Sequence, residues 1–317
     1  MHAAPAVVLP FWLDRPAGEA IDVALEADRL GFHELWIGEM LHFDAFALAG
    51  ALAARTRLTL CVGPLAAGVR DPVSLARGVA SVAVLGDRPA RLALGASTPA
   101  VVDGWHGRRW GEEPQRMAHV VGEVRRLLAG ERSHRRFRSA LGPQPSHITI
   151  AGFGPRMIRV AAEWGDRVVV NLVTPDQARR IRRQVADAAT ATDHVEPAVT
   201  AWVVAALEPG PGTRGQLSAQ LALYLGAPGY AAMFEEAGFG DLVADARSGR
   251  PVRELAAAVP EEMLESVTAY GSAAALLARI ATYREAGVEP AIVPATADDP
   301  GGRRVLGLLA GARPADD

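Results

Sequence analysis

The stretch VVLPFWLDRPAGEAIDVALEADRLGFHELWI, residues 7–37, contains the repeating unit that decides the fold. It begins with an apolar run, Val7 to Phe11, and continues with a helical pattern from Ala17 to Leu30. Gly31 follows at the position where glycine commonly ends a helix. A second apolar run, Glu34 to Ile37, completes the unit. Strands that alternate with helical segments predict a parallel sheet covered by helices.

The same alternation continues along the chain. Six further strands are predicted at Leu58 to Val62, Arg91 to Leu94, His147 to Ala151, Arg167 to Val170, Ala198 to Ala205 and Pro290 to Val293. The helical segments between them are Phe46 to Arg55, Pro72 to Leu85, Glu113 to Leu128, Pro155 to Trp164, Pro175 to Ala189 and Ser272 to Ala286. Eight strands with intervening helices predict an α/β fold, the TIM (β/α)₈ barrel.

An open doubly wound sheet is the alternative architecture. Its dinucleotide fingerprint needs closely spaced glycines directly after an early strand, but the first strand runs into Pro10, Phe11 and Trp12. We therefore favour the barrel and expect a single domain over residues 1–317. About sixty residues of mostly helical pattern, roughly 209–267, separate strands 7 and 8 and predict a helical insertion.

Composition excludes several classes of function. The formal net charge of −3 provides no basic field for nucleic acid. Cys61 is the only cysteine, so the chain has neither an internal disulfide nor a cysteine-rich zinc site, and we expect no metal. All 33 residues counted as lysine or arginine are arginine, which excludes lysine Schiff-base chemistry and the P-loop.

The N-terminus lacks the features of a signal peptide. Met1 to Pro10 has neither a basic region nor a long apolar run, and no segment reaches the roughly 18 apolar residues of a membrane span. We therefore expect a cytoplasmic protein without a membrane partner.

Two glycine-containing turns follow predicted strands, where a barrel places its active site. Ala151 to Pro155 reads AGFGP and leads into a helix, whose free amides favour a phosphate. Leu94 to Thr98 offers small side chains and two hydroxyls. Taken alone, each turn is equally compatible with ordinary loop geometry and helix capping.

Several segments, in order and at the right spacing, resemble the luciferase-like monooxygenase family of flavin and deazaflavin oxidoreductases. The segments are Ala24 to Trp36, Ala53 to Pro72, Arg91 to Gly95, Pro114 to Gly130, Ile150 to Pro155 and Tyr270 to Val293. The resemblance is poor in the insertion.

The resemblance implies where a cofactor binds. It implies a bulge at the end of the third strand, often with a cis peptide, that supports the isoalloxazine ring; here that place is Gly63 and Pro64. Ala96, Ser97 and Thr98 match the loop at the ribityl and phosphate groups. Gly152, Phe153 and Gly154 match the amides that hold the phosphate. Asn171, the only asparagine, ends the sixth strand and by barrel geometry faces the same mouth.

The chain also departs from the family pattern. Deazaflavin-dependent members that oxidise alcohols or sugar phosphates typically carry an acid and a histidine after the second strand, but Met40 stands at the histidine's place and Glu39 at the acid's. Thr98 stands where the sugar-phosphate dehydrogenases have a glutamate. Those dehydrogenase activities are therefore doubtful. We expect His42, with Glu39, to support proton transfer instead. His106, beside Trp105, is a further candidate, as part of a lid.

The resemblance implies an oxidoreductase that transfers a hydride between a deazaflavin, coenzyme F420, and a small organic substrate. The main alternative is an FMN-dependent monooxygenase that uses dioxygen. A second is a flavin-binding homologue without catalytic activity, as Met40 suggests. The resemblance and the frequency of two-fold association among enzymes also predict a homodimer.

Overall fold

The computed structural model describes residues 5–133, 136–227 and 229–312. Its strands are β1 (Ala6–Val8), β2 (Glu34–Ile37), β3 (Thr59–Ala66), β4 (Arg91–Gly95), β5 (Ile148–Ala151), β6 (Arg167–Asn171), β7 (Ala198–Leu207), β8 (Thr268–Gly271) and β9 (Glu289–Pro294).

The helices cover most of the sequence between the strands. They are α1 (Glu19–Arg29), α2 (Ala45–Ala53), α3 (Pro72–Gly86), α4 (Glu113–Leu128), α5 (Pro155–Trp164), α6 (Pro175–Thr192), α7 (Pro211–Tyr224), α8 (Tyr230–Glu236), α9 (Gly240–Arg247), α10 (Val252–Ala258), α11 (Glu261–Val267), α12 (Ala273–Glu285) and α13 (Arg303–Gly311). A π-helix spans Ala100–Trp105 and a short 3₁₀ helix spans Pro300–Gly302.

All eight predicted strands are present, in parallel alternation with helices, and the chain has the (β/α)₈ barrel fold that the sequence predicts. Helices α7 to α11 form the predicted insertion after β7. The sequence did not predict β8, whose residues Thr268–Gly271 directly follow the last helix of the insertion. They form a strand because they pair in parallel with Val204 to Leu207, at the C-terminal end of the long β7.

The chain divides into two compact units. The first contains Met1–Phe32, Val170–Arg182 and Thr200–Asp317. In it β1 pairs with β9, β9 with β7, and β7 with β8, all in parallel. The insertion packs against the strands of this unit in one apolar cluster, in which Phe234, Leu255 and Met263 are buried together with Trp12 and Val204.

The second unit contains His33–Val169 and Arg183–Val199. In it the strands from β2 to β6 pair in sequence order, all in parallel. Helix starts are encoded locally, because the carboxylates of Asp44 and Asp71 accept hydrogen bonds from the amides of Ala47 and Ser74 in the first turns of α2 and α3. Pro72 occupies the first turn of α3, where its missing N–H removes no hydrogen bond of the helix.

A charged cluster lies at the N-terminal ends of alternate strands in this unit. Glu34 begins β2, Arg91 begins β4 and Arg167 begins β6, and the Glu34 carboxylate forms ion pairs with both guanidinium groups. Arg167 Nη2 lies 2.6 Å from Glu34 Oε1, and its guanidinium carbon is 4.4 Å from the centre of the Trp36 ring. Burial raises the pKa of the neighbouring Cys61 thiol to about 12, so this cysteine remains protonated. In a barrel this end serves stability, whereas the C-terminal ends of the strands carry the chemistry.

Candidate active site

The end of β3 contains the predicted bulge. The register between β3 and β4 shifts between Val62 and Leu65, and the peptide bond between Gly63 and Pro64 is cis. Gly63 has a φ of +122°, and a Cβ atom added there would lie 2.1 Å from the carbonyl oxygen of Ala93. Only glycine fits this position, because both the backbone angle and the close approach of β4 exclude a side chain.

The ends of β3, β4 and β5 meet at small side chains. A Cβ atom added at Gly95 would lie 3.5 Å from the Cβ atoms of both Pro64 and Ala151. The structure therefore places the bulge beside the turns after β4 and β5, which the sequence identified separately. These four residues, Gly63, Pro64, Gly95 and Ala151, are called here the glycine floor; they have little side-chain bulk, and Pro64 and Ala151 are half-buried while the two glycines are buried.

The turn after β4 leads into the π-helix. Ser97 adopts a positive φ of 66°, and the carbonyl of Thr98 accepts hydrogen bonds from the amides of Val101 and Val102 at 3.1 and 3.0 Å. Val102 is fully buried and anchors the π-helix. Thr98 thus shapes the beginning of this helix, while Ala96 and Ser97 connect it to the floor. The backbone conformation of this turn therefore accounts for part of the pattern at Ala96, Ser97 and Thr98 that the resemblance assigned to cofactor binding.

The turn after β5 ends at an uncapped helix. Gly154 is the N-cap residue of α5, no side chain accepts a hydrogen bond from the first turn, and no atom lies within 4 Å of a Cβ atom added there. Gly152 differs, because its added Cβ would lie 2.3 Å from Cγ of Met157. Gly152 is therefore required by packing, with Phe153 between it and the open N-terminus at Gly154. The N-terminus of α5 has the amides and the free space that an anion needs.

Glu39 lies in the loop between β2 and α2, residues 38–44, and is held by two contacts. Its Oε1 accepts a hydrogen bond from the amide of Ala45 at 3.2 Å, and the same oxygen lies 2.5 Å from Nη2 of Arg70. Nη2 of Arg70 also lies 2.5 Å from Oδ2 of Asp44. Burial opposes the positive charge of Arg70, but its bonds to Glu39 and Asp44 raise its pKa. Burial likewise opposes the charge of Asp44, but the hydrogen bond from Arg70 lowers its pKa.

His42 lies half-buried in the same loop, next to exposed Met40 and Leu41. The structure therefore places both predicted catalytic residues at the C-terminal end of β2. There Glu39 forms an ion pair with Arg70. Sequence reasoning missed Arg70. The helix start at Asp71 and Pro72 was the available signal, since it places Arg70 in the short turn between the bulged strand β3 and α3.

Asn171, at the end of β6, belongs to the other unit. Its side chain shares a hydrogen bond with Tyr230 of α8, and burial raises the pKa of that tyrosine. The ring of Tyr230 lies 4.6 Å from that of Tyr224, measured between centroids. Asn171 thus bonds to a side chain of the insertion, a contact that its position at the end of a strand did not reveal.

The segment from Ala96 to Glu112, which looked like a long loop in the sequence, contains the π-helix. Trp105 ends this helix with 56% of its surface exposed, and His106 follows it, also exposed. The second long loop, Gly130 to Ser146, lies partly outside the described residues, at positions 134 and 135.

The described residues contain neither a metal site nor a membrane-spanning helix. The part of the chain that the structure describes holds no group of three or more His, Cys, Asp or Glu side chains arranged to bind a metal ion. Within the same ranges, none of the helices combines the length and the apolar character that a bilayer crossing requires.

Comparison with known proteins gives a family match over most of the chain. The model of the luciferase-like monooxygenase family matches residues 4–290. A Mycobacterium tuberculosis protein named as a coenzyme F420-dependent oxidoreductase is 25% identical over an alignment of 328 positions that covers 90% of this chain and 93% of the relative.

Solved structures share the fold at low identity. The coenzyme F420-dependent tetrahydromethanopterin reductase of Methanopyrus kandleri superposes with a TM-score of 0.79 at 16% identity, over 97% of this chain and 98% of the reductase. The oxygenating constituent of 3,6-diketocamphane monooxygenase of Pseudomonas putida, solved with FMN, gives a TM-score of 0.71 at 15% identity, over 98% and 97%. These likenesses establish the fold, and they include proteins of both cofactor classes.

Proposed function

Because the chain belongs to the luciferase-like monooxygenase family, we propose that it is an oxidoreductase that transfers a hydride between coenzyme F420 and a small organic substrate. The observation that carries this proposal is the glycine floor beside the uncapped N-terminus of α5. A flat ring needs a surface without side-chain bulk, and a phosphate needs free amides.

The residues of the second unit fit a deazaflavin with a phosphate-bearing tail. Gly63 and Pro64 would support the face of the ring, as the family resemblance implies, with Pro64 half-buried at the bulge. Ala96, Ser97 and Thr98 would line the tail. Gly154 and the first amides of α5 would hold the phosphate, with Gly152 and Phe153 shaping the turn.

The chemistry divides between cofactor and protein. When bound, a deazaflavin supplies hydride transfer without ready activation of dioxygen, because carbon replaces the reactive N5 of a flavin. His42 would give a proton to the substrate during reduction or take one during oxidation, since an imidazole ring can act as either a proton donor or a proton acceptor. Glu39 holds the loop that carries His42, through Arg70 and the amide of Ala45.

FMN is the alternative cofactor. The FMN-containing monooxygenase that shares this fold supports it, and the glycine floor has no feature that rejects a flavin ring. The relative named for coenzyme F420 and the close fit to deazaflavin-type segments favour the deazaflavin.

Titration of the purified protein with F420 and with FMN, each followed by fluorescence, tests the proposal. We expect F420 to bind with micromolar affinity or tighter and FMN to bind more weakly. Equal or preferential binding of FMN would favour the monooxygenase. No measurable binding of either cofactor would contradict the proposal.

A further inference from the structure

Arg70 connects both ends of the loop that carries His42. It follows β3 in the sequence, and one nitrogen of its guanidinium group, Nη2, lies 2.5 Å from a carboxylate oxygen of Glu39 and of Asp44. Glu39 stands near the beginning of the loop and Asp44 at its end. The two contacts therefore span nearly the whole of residues 38–44.

The same two carboxylates hold the beginning of α2. Oδ1 of Asp44 accepts the amide hydrogen of Ala47 at 2.9 Å, and Oε1 of Glu39 accepts that of Ala45 at 3.2 Å. Each carboxylate thus joins Arg70 to the first turn of a helix. Without Arg70 both carboxylates remain charged acceptors, but they lose the cation that fixes them, so we expect the loop to open more often and to expose both amides.

The guanidinium group is itself held in place. Its carbon lies 5.5 Å from the centre of the Phe46 ring, and the side chain is only 24% exposed. A cation near an aromatic face and partly withdrawn from water interacts more strongly with both the ring and the carboxylates. The guanidinium group of Arg70 therefore has a fixed position, unlike that of an arginine on the open surface.

His42 lies between the two anchored residues, three positions after Glu39 and two before Asp44. A loop fixed at both ends samples few conformations, and proton transfer needs a donor held within hydrogen-bond distance of the reacting atom. We propose that Arg70 is a positioning residue that fixes the loop from residue 38 to residue 44 and thereby orients His42 for proton transfer.

The role of His42 rests on the proposed function, whereas the fixing of the loop does not. The first test therefore uses the full-length protein without cofactor. Hydrogen exchange of the Ala45 and Ala47 amides and the NMR signal of the His42 ring are compared between the natural protein and Arg70→Gln. We expect about tenfold faster exchange of both amides and a shifted or broadened His42 signal.

Two further variants separate positioning from general loss of structure. Asp44→Asn removes one ion pair but keeps a good helix cap, so we expect a smaller change in the same direction. Arg77→Gln removes an exposed arginine from α3 and should leave the loop unchanged. Wild-type exchange and a wild-type His42 signal in Arg70→Gln would overturn the proposal.

A second measurement uses the F420-loaded enzyme. Arg70→Gln should lower kcat about tenfold or more at unchanged F420 affinity, and Arg70→Lys should recover part of that loss because it keeps the charge but not the planar guanidinium. A loosened loop with wild-type kcat would overturn the orienting role. If the natural protein does not bind F420, the proposed function fails, while the exchange measurement still decides whether Arg70 fixes the loop.

Discussion

At the scale of single residues, glycines determine where a ligand can approach the C-terminal ends of the strands. Gly63 and Gly152 are required by neighbouring atoms of the protein, namely the carbonyl oxygen of Ala93 and the side chain of Met157. Gly154 has no such neighbour and stands at the open end of α5. A glycine without a packing reason beside free helix amides is the best candidate for contact with a ligand.

The substitution Gly154→Asp should weaken F420 binding at least about tenfold. The new carboxylate repels the phosphate and accepts the amide hydrogens that would otherwise bind it. Because aspartate is a favourable N-cap residue and Gly154 already has an extended conformation, Tm should stay the same or rise. Cofactor titration and thermal unfolding measure the two effects.

Gly18→Asp is the matched control, since Gly18 is the N-cap residue of α1 and also has open space around it. It should leave F420 affinity unchanged. Unaltered affinity in a folded Gly154→Asp protein would remove this turn from the site.

The substitution His42→Ala should reduce turnover about 100-fold or more with little change in F420 affinity, because general acid–base groups typically contribute 10² to 10⁴ in rate. Steady-state kinetics and cofactor titration check both parts. His194→Ala, which removes an exposed histidine after α6, serves as the control. Near-full turnover in His42→Ala would show that the proton comes from another group or from solvent.

At the scale of elements, each parallel strand carries different chemistry at its two ends. In the second unit, β2 and β4 begin at the charged cluster of Glu34, Arg91 and Arg167 and lead, at their other ends, to the candidate site. The cluster joins three strands that are distant in sequence. We infer that it stabilises the strand ends opposite the chemistry and so supports the site without contacting it.

The substitution Glu34→Gln tests this inference. It leaves two guanidinium groups without their anion, and removal of one partner from a buried ion pair typically costs about 3–5 kcal/mol. We expect the free energy of unfolding to fall by an amount near the lower end of this range, since Arg91 is partly exposed. The urea midpoint of unfolding measures the change.

Glu235→Gln, which breaks the exposed pair with Arg247, should cost less than about 1 kcal/mol. Equally small losses in both variants would show that the charged cluster contributes no more than a surface pair.

At the scale of the whole molecule, one surface remains unexpectedly apolar. Helix α2 reads AFALAGALA and has no polar side chain, yet Ala47 and Ala51 are exposed. Leu85 of α3 has 62% of its surface exposed, and its Cδ1 lies 3.6 Å from a Cβ atom added at Gly50, so the two helices share this face. A helix that is apolar on all sides is normally buried. We propose that a second copy of the chain covers it.

Sedimentation should therefore show a species of twice 33.4 kDa. Leu85→Glu should convert it to the monomer, because a carboxylate in an apolar interface loses hydration without gaining a partner. Leu223→Glu, at an exposed position of α7, should leave the dimer intact. A natural protein that sediments only as a 33 kDa species would contradict the proposal.

The sequence by itself determined the order of the strands and helices, the positions of eight strands and those of the seven helices that alternate with them; it did not predict the π-helix, α13 or the separate helices of the insertion. Alternating apolar runs, helix caps such as Asp71 with Pro72, and glycines after helices depend on neighbours a few residues away, which a single sequence displays. It also located the bulge at Gly63 and Pro64 and the turn at Gly152 to Gly154. The strand β8 was missed because its stability comes from β7, which lies more than sixty residues earlier.

Tertiary structure decided which side chains meet. The pairing of Arg70 with Glu39 and Asp44, the convergence of Gly95 with Pro64 and Ala151, and the bond between Asn171 and Tyr230 all join segments that are distant in sequence. Such contacts depend on the register of adjacent strands and on how far each loop reaches, and neither leaves a periodic signal in the chain. The sequence predicts a role in proton transfer for Glu39, whereas the structure places its carboxylate in an ion pair. The difference arises because only the packing of the chain brings Arg70 within 2.5 Å of Glu39.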